Sequence, residues 1–297
     1  PSMTFEQFRG NVDYDLVGVP PPESFDGLPP DQHPFSLFPD ARSVIVVGRR
    51  LGRGAFRGME EGTQWTVPGR WITQFDALVR WIERQGWECV PYNPGDVNEN
   101  LPAQPVRPGA CRPQGIRLSL EHAAVAAGLG EIGYHGMFMS RAYGIRQALG
   151  LLVTDMPVEP GPGADGQGPI CDRCMACAQA CPLEALSATT STTLEWPGQE
   201  APLGVINGQA CRACPNGAAG DSRFFAGAEE LHFEIRDNRI VGDSQSSFAR
   251  GNLPNRLGAA CGRACIAHFE ATHDTGYRIP FRSREPWGYR PDQHKEW

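Results

Sequence analysis

Apolar residues follow two different patterns in the first half of the chain, and each pattern predicts a different element. Residues 42–48 (RSVIVVG) and 149–155 (LGLLVTD) are nearly uninterrupted apolar runs, as in strands that are buried on both faces. Between Pro68 and Gly86 the apolar residues instead recur every three or four positions, which predicts a long amphipathic helix. A short strand at residues 87–92 follows directly. This order predicts a strand-helix-strand crossover unit, with residues 42–48 as the first strand of the sheet.

Glycine and proline mark where further elements end. An alanine-rich helix predicted at residues 116–127 runs into GLGEIGYHG, and residues 156–169 (MPVEPGPGADGQGP) have the composition of a linker. Residues 231–241 predict a hairpin that turns at Asp237-Asn238. We expect the boundary between two domains to fall at the linker.

These signals divide the chain into four parts of a mixed α/β protein. Residues 1–40 are rich in proline but contain interspersed phenylalanines, which predicts an arm docked on the body by its aromatic side chains. We expect an α/β domain at residues 41–157 and a cysteine-containing domain at residues 168–270. Residues 271–297 show no periodicity, and we expect them to wrap the surface as a tail.

The overall composition argues against several kinds of partner. The 297 residues are 40% hydrophobic and 21% charged, with a formal net charge of -7. Because phosphate binding needs clustered Lys and Arg, this acidic balance disfavours nucleic acid. The sequence has no run of eighteen apolar residues and no apolar export segment at its start. We therefore expect a soluble protein in a reducing, cytoplasmic setting, without a membrane partner.

Cysteine spacing is the most specific chemical signal in the sequence. Residues 171–182 (CDRCMACAQACP) have the C-x2-C-x2-C-x3-C-P spacing, in which three thiolates hold one cubane iron-sulfur cluster and the fourth reaches a second cluster. We expect the fourth cysteine to be carried off on a helix that begins near Pro182. A structural zinc site uses two separated cysteine pairs, and disulfide scaffolds are small and dense in cysteine, so these two alternatives fit less well.

Eight of the ten cysteines can be assigned to two 4Fe-4S clusters. We assign the first cluster to three cysteines of the run and one late cysteine, most simply Cys265: Cys171, Cys174, Cys177 and Cys265. The second cluster then takes the last cysteine of the run, the close pair that follows it and the remaining late cysteine: Cys181, Cys211, Cys214 and Cys261. Cys89 and Cys111 are expected to be unpaired, with Cys89 packed in the core.

Gly128, Gly130 and Gly133 match the G-x-G-x-x-G spacing of dinucleotide-binding loops. That fingerprint follows a strand and opens a helix, whereas these glycines close a predicted helix. Nicotinamide binding is therefore disfavoured. What the glycines do offer is exposed backbone that can lie flush against a flat ligand.

The stretch from Leu120 to Leu186 resembles the superfamily of cobalamin-dependent reductive dehalogenases and epoxyqueuosine reductases. The GLGEIG loop, the YG-x-R region, the LLVTD strand and the cysteine run carry this resemblance, in one order and at short distances. It implies a nitroreductase-like α/β domain that holds base-off cobalamin, followed by a bacterial ferredoxin-like domain with two 4Fe-4S clusters. It also implies the cofactor contacts, which are Gly128, Gly130, Gly133 and Gly136 along the corrin, Met137 to Tyr143 near its lower face or tail, and Arg146.

The chain departs from this superfamily where the proton donor is expected. Epoxyqueuosine reductases place an aspartate about a dozen residues before the AGLG segment, a position near Gln114 with no acid close by, and the helix on which dehalogenases place a tyrosine contains none. Substitute donors are Tyr134, His135 and Tyr143. A guanidinium of Arg141 or Arg146 against a phenol would lower the pKa of that phenol. We favour Tyr134, with packing as the alternative for Tyr143 and His135.

The sequence thus predicts a reductase that passes electrons from two 4Fe-4S clusters to cobalamin. The reaction implied is cleavage of a carbon-heteroatom bond, to halogen or oxygen, in a small molecule, with an external ferredoxin or flavodoxin as donor. One alternative is an electron-transfer or assembly protein that kept the scaffold and lost the reaction. Another is a flavin- or nicotinamide-linked reductase. A homodimer is left open.

Overall fold

The computed structural model describes residues 2–60, 75–92, 104–105, 107–111, 115–164, 166–181, 183–208, 211, 233–236, 239–242 and 257–281. Its main sheet has four strands in the order β1-β2-β6-β3, numbered along the chain. They are β1 (Leu16–Gly18), β2 (Ser43–Arg50), β3 (Cys89–Pro91) and β6 (Gln147–Thr154). The described residues therefore form a mixed α/β fold.

Strands β2 and β6 form the centre of the sheet. They pair in antiparallel fashion from Ser43 opposite Thr154 to Arg50 opposite Gln147. The side chains of residues 44–47 and 151–153 are at most 1% exposed. Burying each such side chain stabilises the fold by roughly 1.5–3 kcal/mol relative to leaving it exposed. The two apolar runs are thus strands covered on both faces, as predicted.

The predicted crossover unit differs from the observed sheet in one respect. Strands β2 and β3 are both antiparallel to β6, so they run parallel to each other, but β6 lies between them. The crossover therefore joins two strands that do not touch. Strand β6 takes the central place because its apolar run is long enough to pair with β2 on one side and β3 on the other.

The first forty residues are docked on the body and also extend the sheet. Helix α1 (Phe5–Gly10) begins with a capping box formed by Thr4 and Gln7, and Phe8 is fully buried. Strand β1 pairs with β2, with Val17 opposite Val47. Docking by aromatic side chains is therefore observed. The expectation that residues 42–48 form the first strand was wrong, because β1 precedes them.

Two of the predicted helices are present with shorter bounds. Helix α3 (Asp76–Arg84) buries Leu78 and Ile82 against the sheet, while the predicted start at Pro68 lies outside the described residues. Helix α4 (Leu120–Ala126) begins at Ser119, whose side chain accepts a hydrogen bond from the His122 backbone. A further helix, α2 (Arg53–Glu60), follows β2.

The second half of the chain contains short helices and two hairpins. Helix α5 (Ala176–Gln179) ends before Cys181, and strand β7 (Leu186–Trp196) begins soon after it. The predicted helix near Pro182 is therefore wrong, because the threonine-rich run after Leu186 favours an extended strand. Strand β7 pairs with β8 (Gln199–Ile206). The remaining elements are the small hairpin β4 (Glu131–Ile132) and β5 (Phe138–Met139), the predicted hairpin β9 (Phe233–Arg236) and β10 (Arg239–Gly242), and helix α6 (Ala260–Thr272).

Helix α6 packs against α5 and against the glycine-rich segment. Its residues Ile266 and Phe269 share a buried cluster with Met137, Met139 and Ile145. The two halves of the chain therefore meet in one apolar core. Within the described residues, no helix is long and apolar enough to cross a membrane.

Candidate metal centre

Four thiols line one small cavity between α5, α6 and the glycine-rich segment. Cys171 and Cys174 come from the loop that leads into α5, Cys177 lies on α5 itself, and Cys265 comes from α6. These are the four cysteines assigned to the first cluster from spacing. None of them forms a disulfide, so all four sulfurs can serve as ligands.

The loop that carries Cys171 and Cys174 has an unusual backbone. Arg173 and Met175 have φ angles of 56° and 61°, in the left-handed region that non-glycine residues rarely adopt. Each such residue costs of order 1–3 kcal/mol and persists where its surroundings determine it. The loop also has fixed hydrogen bonds, since the Cys171 N–H donates to Glu131 Oε1 at 2.7 Å and the Cys174 N–H donates to Asp172 Oδ1 at 3.1 Å. The strained turns let successive cysteines face the same cavity.

The surroundings of the thiols disfavour their charged form unless a cation is bound. Burial raises the pKa of the Cys177 thiol to about 11, and it also raises the pKa of Cys174. For Cys265, burial and then the neighbouring cysteines raise the pKa well above its usual value. Thiolates held this close repel each other, and a metal binds only the deprotonated form. The donor set therefore fits an iron-sulfur cluster, whose iron replaces the protons.

Two residues of the glycine-rich segment hydrogen-bond to sulfurs of this set. The backbone N–H of Tyr134 donates to Cys171 Sγ at 3.4 Å, and His135 Nε2 lies 3.2 Å from Cys265 Sγ. Both side chains are buried, at 5% and 3% exposure. The Tyr134-His135 pair therefore covers one side of the thiol cavity.

A second, wider cavity lies next to the thiol cavity. The two share a wall made of Tyr134, Cys171, Asp172 and Arg173. The opposite side of the wider cavity comes from the β7-β8 hairpin, between Trp196 and Pro202. The Tyr134 hydroxyl donates to the Thr190 carbonyl of β7 at 3.3 Å. Tyr134 and Cys171 thus lie between the thiol cavity and this wider space.

Three of the glycines predicted to line a corrin are closed by protein atoms on the side where a side chain would stand. A Cβ added at Gly128 would lie 2.1 Å from the Gly163 carbonyl carbon, and one at Gly130 would lie 1.9 Å from the Met139 oxygen. A Cβ at Gly133 would lie 2.6 Å from Met139 Sδ. Close packing within the chain therefore explains why these three residues are glycines. The side of each glycine on which a Cβ would stand offers no surface to a corrin. Gly136 has a φ of 73°, which a tight turn requires.

Arg146 lies in an ion-pair network, not at either cavity. Its side chain is 3% exposed, with Nε 3.7 Å from Glu270 Oε1 and Nη1 donating to the Leu51 carbonyl at 3.1 Å. Arg53 Nη2 lies 2.9 Å from the other Glu270 oxygen. Because Glu270 belongs to α6, this network fixes the helix that carries Cys265.

The other predicted contacts are spread around the centre. Met137 is buried in the core shared with α6, and Met139 lines the thiol cavity. Arg141 Nη2 donates to the Gly168 carbonyl at 2.7 Å, and the Tyr143 N–H donates to Ser140 at 3.3 Å. Of the three phenol and imidazole candidates, Tyr134 and His135 are therefore brought to the cavities, while Tyr143 lies outside them.

The thiols assigned to a second cluster are described in part. Cys261 lies one helical turn before Cys265 on α6 and packs beside Cys177 and Tyr134. Cys181 Sγ accepts a hydrogen bond from the Ala185 N–H at 3.2 Å, and the Cys211 N–H donates to the Asn207 carbonyl. Cys214 lies outside the described residues. The second cluster therefore stays a prediction.

Several residues of the site were missed by the sequence analysis. The β7-β8 hairpin was not predicted, although Pro197-Gly198 between two extended runs is a turn signal. Glu131 was not singled out as a partner of Cys171. His268 contacts Asp172 at 2.7 Å at the edge of the thiol cavity. Burial is the largest single influence on the pKa of Asp172 and raises it, but the hydrogen bond and charge of His268 together with the hydrogen bonds to Cys174 lower that pKa below its usual value.

Comparison with known proteins supports the resemblance seen in the motifs. No family model matches the chain. Tetrachloroethene reductive dehalogenases of Desulfitobacterium hafniense and Dehalobacter restrictus are 38% identical to it over 65 residues, which is 22% of this chain and 12% of each dehalogenase. The chain thus resembles reductive dehalogenases, as predicted, and the match spans about an eighth of their length.

Solved structures give weaker similarities to the same superfamily. An epoxyqueuosine reductase with a modified tRNA-Tyr stem loop covers 90% of this chain and 81% of its own, at 15% identity and a TM-score of 0.42. A reductive dehalogenase described with a mechanism for B12-dependent dehalogenation covers 96% of this chain and 41% of its own, at 15% identity and a TM-score of 0.45. Both scores are below 0.5, so no inference rests on them.

Proposed function

We propose that the protein is an oxidoreductase of the reductive dehalogenase type. It uses iron-sulfur clusters and cobalamin to cleave a carbon-halogen or carbon-oxygen bond in a small molecule. The observation that carries this proposal is the shared wall. Four convergent thiols line one cavity, and Tyr134 and Cys171 also line the wider cavity beside it. This is the arrangement that electron transfer into a ligand pocket needs.

Cys171, Cys174, Cys177 and Cys265 hold one 4Fe-4S cluster in this proposal. A cluster held there would supply single electrons, at a potential that the protein sets through hydrogen bonds to sulfur, burial and nearby charge. Glu131 and Asp172 fix the backbone of the cysteine loop. The Glu270 ion pairs fix α6 and with it Cys265. The chain therefore offers a rigid ligand set before metal arrives.

The wider cavity is the place for a corrinoid among the described residues. The oxygen Oε1 of Gln199 is buried there without a hydrogen-bond partner in the described part of the chain. A corrinoid carries amide side chains whose N–H groups could donate to this oxygen. Trp196, Val125 and Ile132 provide apolar wall. Cobalamin, when bound, supplies a strongly reducing and nucleophilic cobalt. The glycine cradle expected from the sequence is not part of this proposal.

Tyr134 is the proposed proton donor. Its ring lines both cavities, and its hydroxyl is held at 3.3 Å from the Thr190 carbonyl. Rotation of this O–H bond is enough to redirect the proton from that carbonyl to a substrate. Arg173 lies in the wall that the two cavities share.

The remaining expectations are also part of the proposal. Cys181, Cys211, Cys214 and Cys261 hold a second 4Fe-4S cluster, and the two halves act as a nitroreductase-like domain and a ferredoxin-like domain. A ferredoxin or flavodoxin supplies electrons in the cytoplasm. The absence of a nucleic-acid partner stays a prediction, which rests on the acidic composition of the chain.

A second candidate function is electron transfer without catalysis. The specific observation in its favour is that the sides of Gly128, Gly130 and Gly133 that would carry a side chain are closed by protein. Under this alternative the thiol cavity is loaded with a cluster, and the wider cavity takes no corrinoid.

The test is the binding of cobalamin to anaerobically purified protein. We expect cobalt to co-elute with the protein in gel filtration, with the absorption spectrum shifted to the base-off form. A Trp196→Ala variant, which opens the wider cavity, should lose most of this cobalt while keeping its iron. A loaded iron-sulfur protein that retains no cobalamin and shows no spectral shift would contradict the proposal and favour electron transfer alone.

A further inference from the structure

His135 is held in place by a tight turn next to the thiol cavity. The Gly136 N–H donates to the Gly133 carbonyl at 2.8 Å, and the Gly133 N–H donates to the Met137 carbonyl at 3.0 Å. Gly136 has the positive φ that this turn needs. A side chain at Gly133 would meet the His135 ring, because an added Cβ would lie 2.8 Å from His135 Cε1. The glycines therefore make room for the imidazole.

The same turn fixes the hydrogen position on the ring. The Met137 backbone N–H donates to His135 Nδ1 at 3.0 Å, so Nδ1 carries a lone pair and no hydrogen. The hydrogen of the neutral ring is then on Nε2. That atom lies 3.2 Å from Cys265 Sγ. His135 is therefore a donor to the sulfur of Cys265.

A hydrogen bond to a cysteine ligand acts on the redox equilibrium of its cluster. Reduction adds negative charge, part of which lies on the ligand sulfurs, and a donor stabilises that charge more than it stabilises the oxidised state. His135 is 3% exposed, so this donor is held away from water beside the sulfur. The donor consequently raises the reduction potential of the cluster.

We propose that His135 is a positioning residue that sets the reduction potential of the cluster held by Cys171, Cys174, Cys177 and Cys265. This inference rests on the proposed function, because it requires a cluster at these four thiols. It assigns His135 to electron transfer and leaves proton donation to Tyr134. The motif Gly133-Tyr134-His135-Gly136 thereby serves both cavities, with Tyr134 facing the wider one.

The test compares two substitutions of this histidine in the anaerobically purified protein. His135→Phe removes the donor and keeps a planar ring, whereas His135→Gln keeps an N–H donor. Redox titration followed by electron paramagnetic resonance gives the midpoint potential, and the signal of this cluster is identified as the one lost in Cys265→Ala. We expect His135→Phe to lower the equilibrium constant for reduction of the cluster about tenfold. For a one-electron couple this lowers the midpoint potential by about 59 mV. His135→Gln should recover at least half of this shift.

A matched control is His122→Phe, which replaces another buried histidine. His122 is 2% exposed and stacks on Trp196 at 5.0 Å, away from the thiols. The midpoint potential of the cluster in His122→Phe should equal that in the unmodified protein. An unchanged potential in His135→Phe with a full iron content would overturn the inference and leave the proposed function intact. Unmodified protein without a cluster would overturn both.

A second measurement covers the case in which His135→Phe fails to fold. In protein labelled with ¹⁵N-histidine, pulsed electron paramagnetic resonance of the reduced cluster should detect a coupled ¹⁵N nucleus and an exchangeable proton. His122→Phe should leave that coupling in place. Absence of the coupling in the unmodified protein would refute the role of His135.

Discussion

The cysteine loop and the glycine-rich segment were both expected to hold a cofactor, and they differ in how far their surroundings leave room for one. The four thiols of the first set converge on one cavity. Three of the four glycines, by contrast, are closed by Gly163, Met139 and His135. Ligand spacing of two or three residues is imposed by the covalent chain, whereas an open surface depends on everything that packs around it. A cysteine motif therefore predicts a metal site better than a glycine motif predicts a ligand surface.

The largest effect that would test this contrast is loss of the cluster. Cys265→Ala removes the thiol that comes from α6, and we expect the iron bound at this site to fall by most of its amount, because three thiolates leave one iron open. Iron and sulfide analysis measures the loss. Cys111→Ala is the control, since that thiol contacts the Pro30 carbonyl instead of the site. Equal iron in both variants would show that Cys265 is not a ligand.

The second effect concerns the ion pairs that hold the same helix. Glu270→Gln leaves Arg53 and Arg146 without their carboxylate, and breaking a buried pair costs about 3–5 kcal/mol. Denaturant titration gives the free energy of unfolding of Glu270→Gln and so measures this loss of stability. The exposed pair of Asp76 and Arg80, with side chains 67% and 59% exposed, is the control, and Asp76→Asn should change stability by less than about 0.5 kcal/mol. Similar effects for the two variants would contradict a structural role of Glu270.

The third effect tests the closed glycines. Gly130→Ala places a Cβ against the Met139 backbone oxygen, so we expect the free energy of unfolding to fall by about 3 kcal/mol, the upper range for overpacking. Gly10→Ala, with nothing within 4 Å of the added atom, should change it by less than about 1 kcal/mol. If Gly130→Ala kept full stability and lost only cobalamin affinity, the glycine would face a ligand after all, and the contrast drawn above would fail.

The smallest effect is a pH dependence at the junction between α4 and the β7-β8 hairpin. Burial lowers the pKa of His122 below its ordinary value, so the unfolded chain binds a proton at a higher pH than the folded chain does. The stability that neutral His122 contributes is therefore fully present above pH 6.5, and it is lost as the pH falls through the lowered pKa. The His122→Phe variant should lack this part of the decline when unfolding is measured from pH 7.5 to 5. An identical pH profile in both proteins would exclude His122 as its source.

Sequence reasoning recovered the parts of this molecule that depend on local pattern. Strands β2 and β6 followed from apolar runs, and α4 followed from an alanine-rich stretch that ends at Gly128. The four convergent thiols agree with an assignment made from spacing. Each of these depends on residues that are neighbours in the chain.

The parts that were missed depend on long-range packing. Strand β1 joins the sheet because of its contact with β2, and its three residues carry no pattern of their own. Arg146 was expected at the cofactor, but Glu270, more than a hundred residues away, neutralises it in the core. His135 was weighed as a proton donor or a packed ring, and its bond to Cys265 depends on how α6 docks. Such contacts are fixed by the fold as a whole.

The most direct test of the central claim is the iron and acid-labile sulfide content of the anaerobically purified protein, combined with electron paramagnetic resonance of the reduced form. The account predicts at least four irons and four sulfides per chain, with a cluster signal that disappears in Cys265→Ala. Zinc in place of iron, or sulfide near zero, would contradict it.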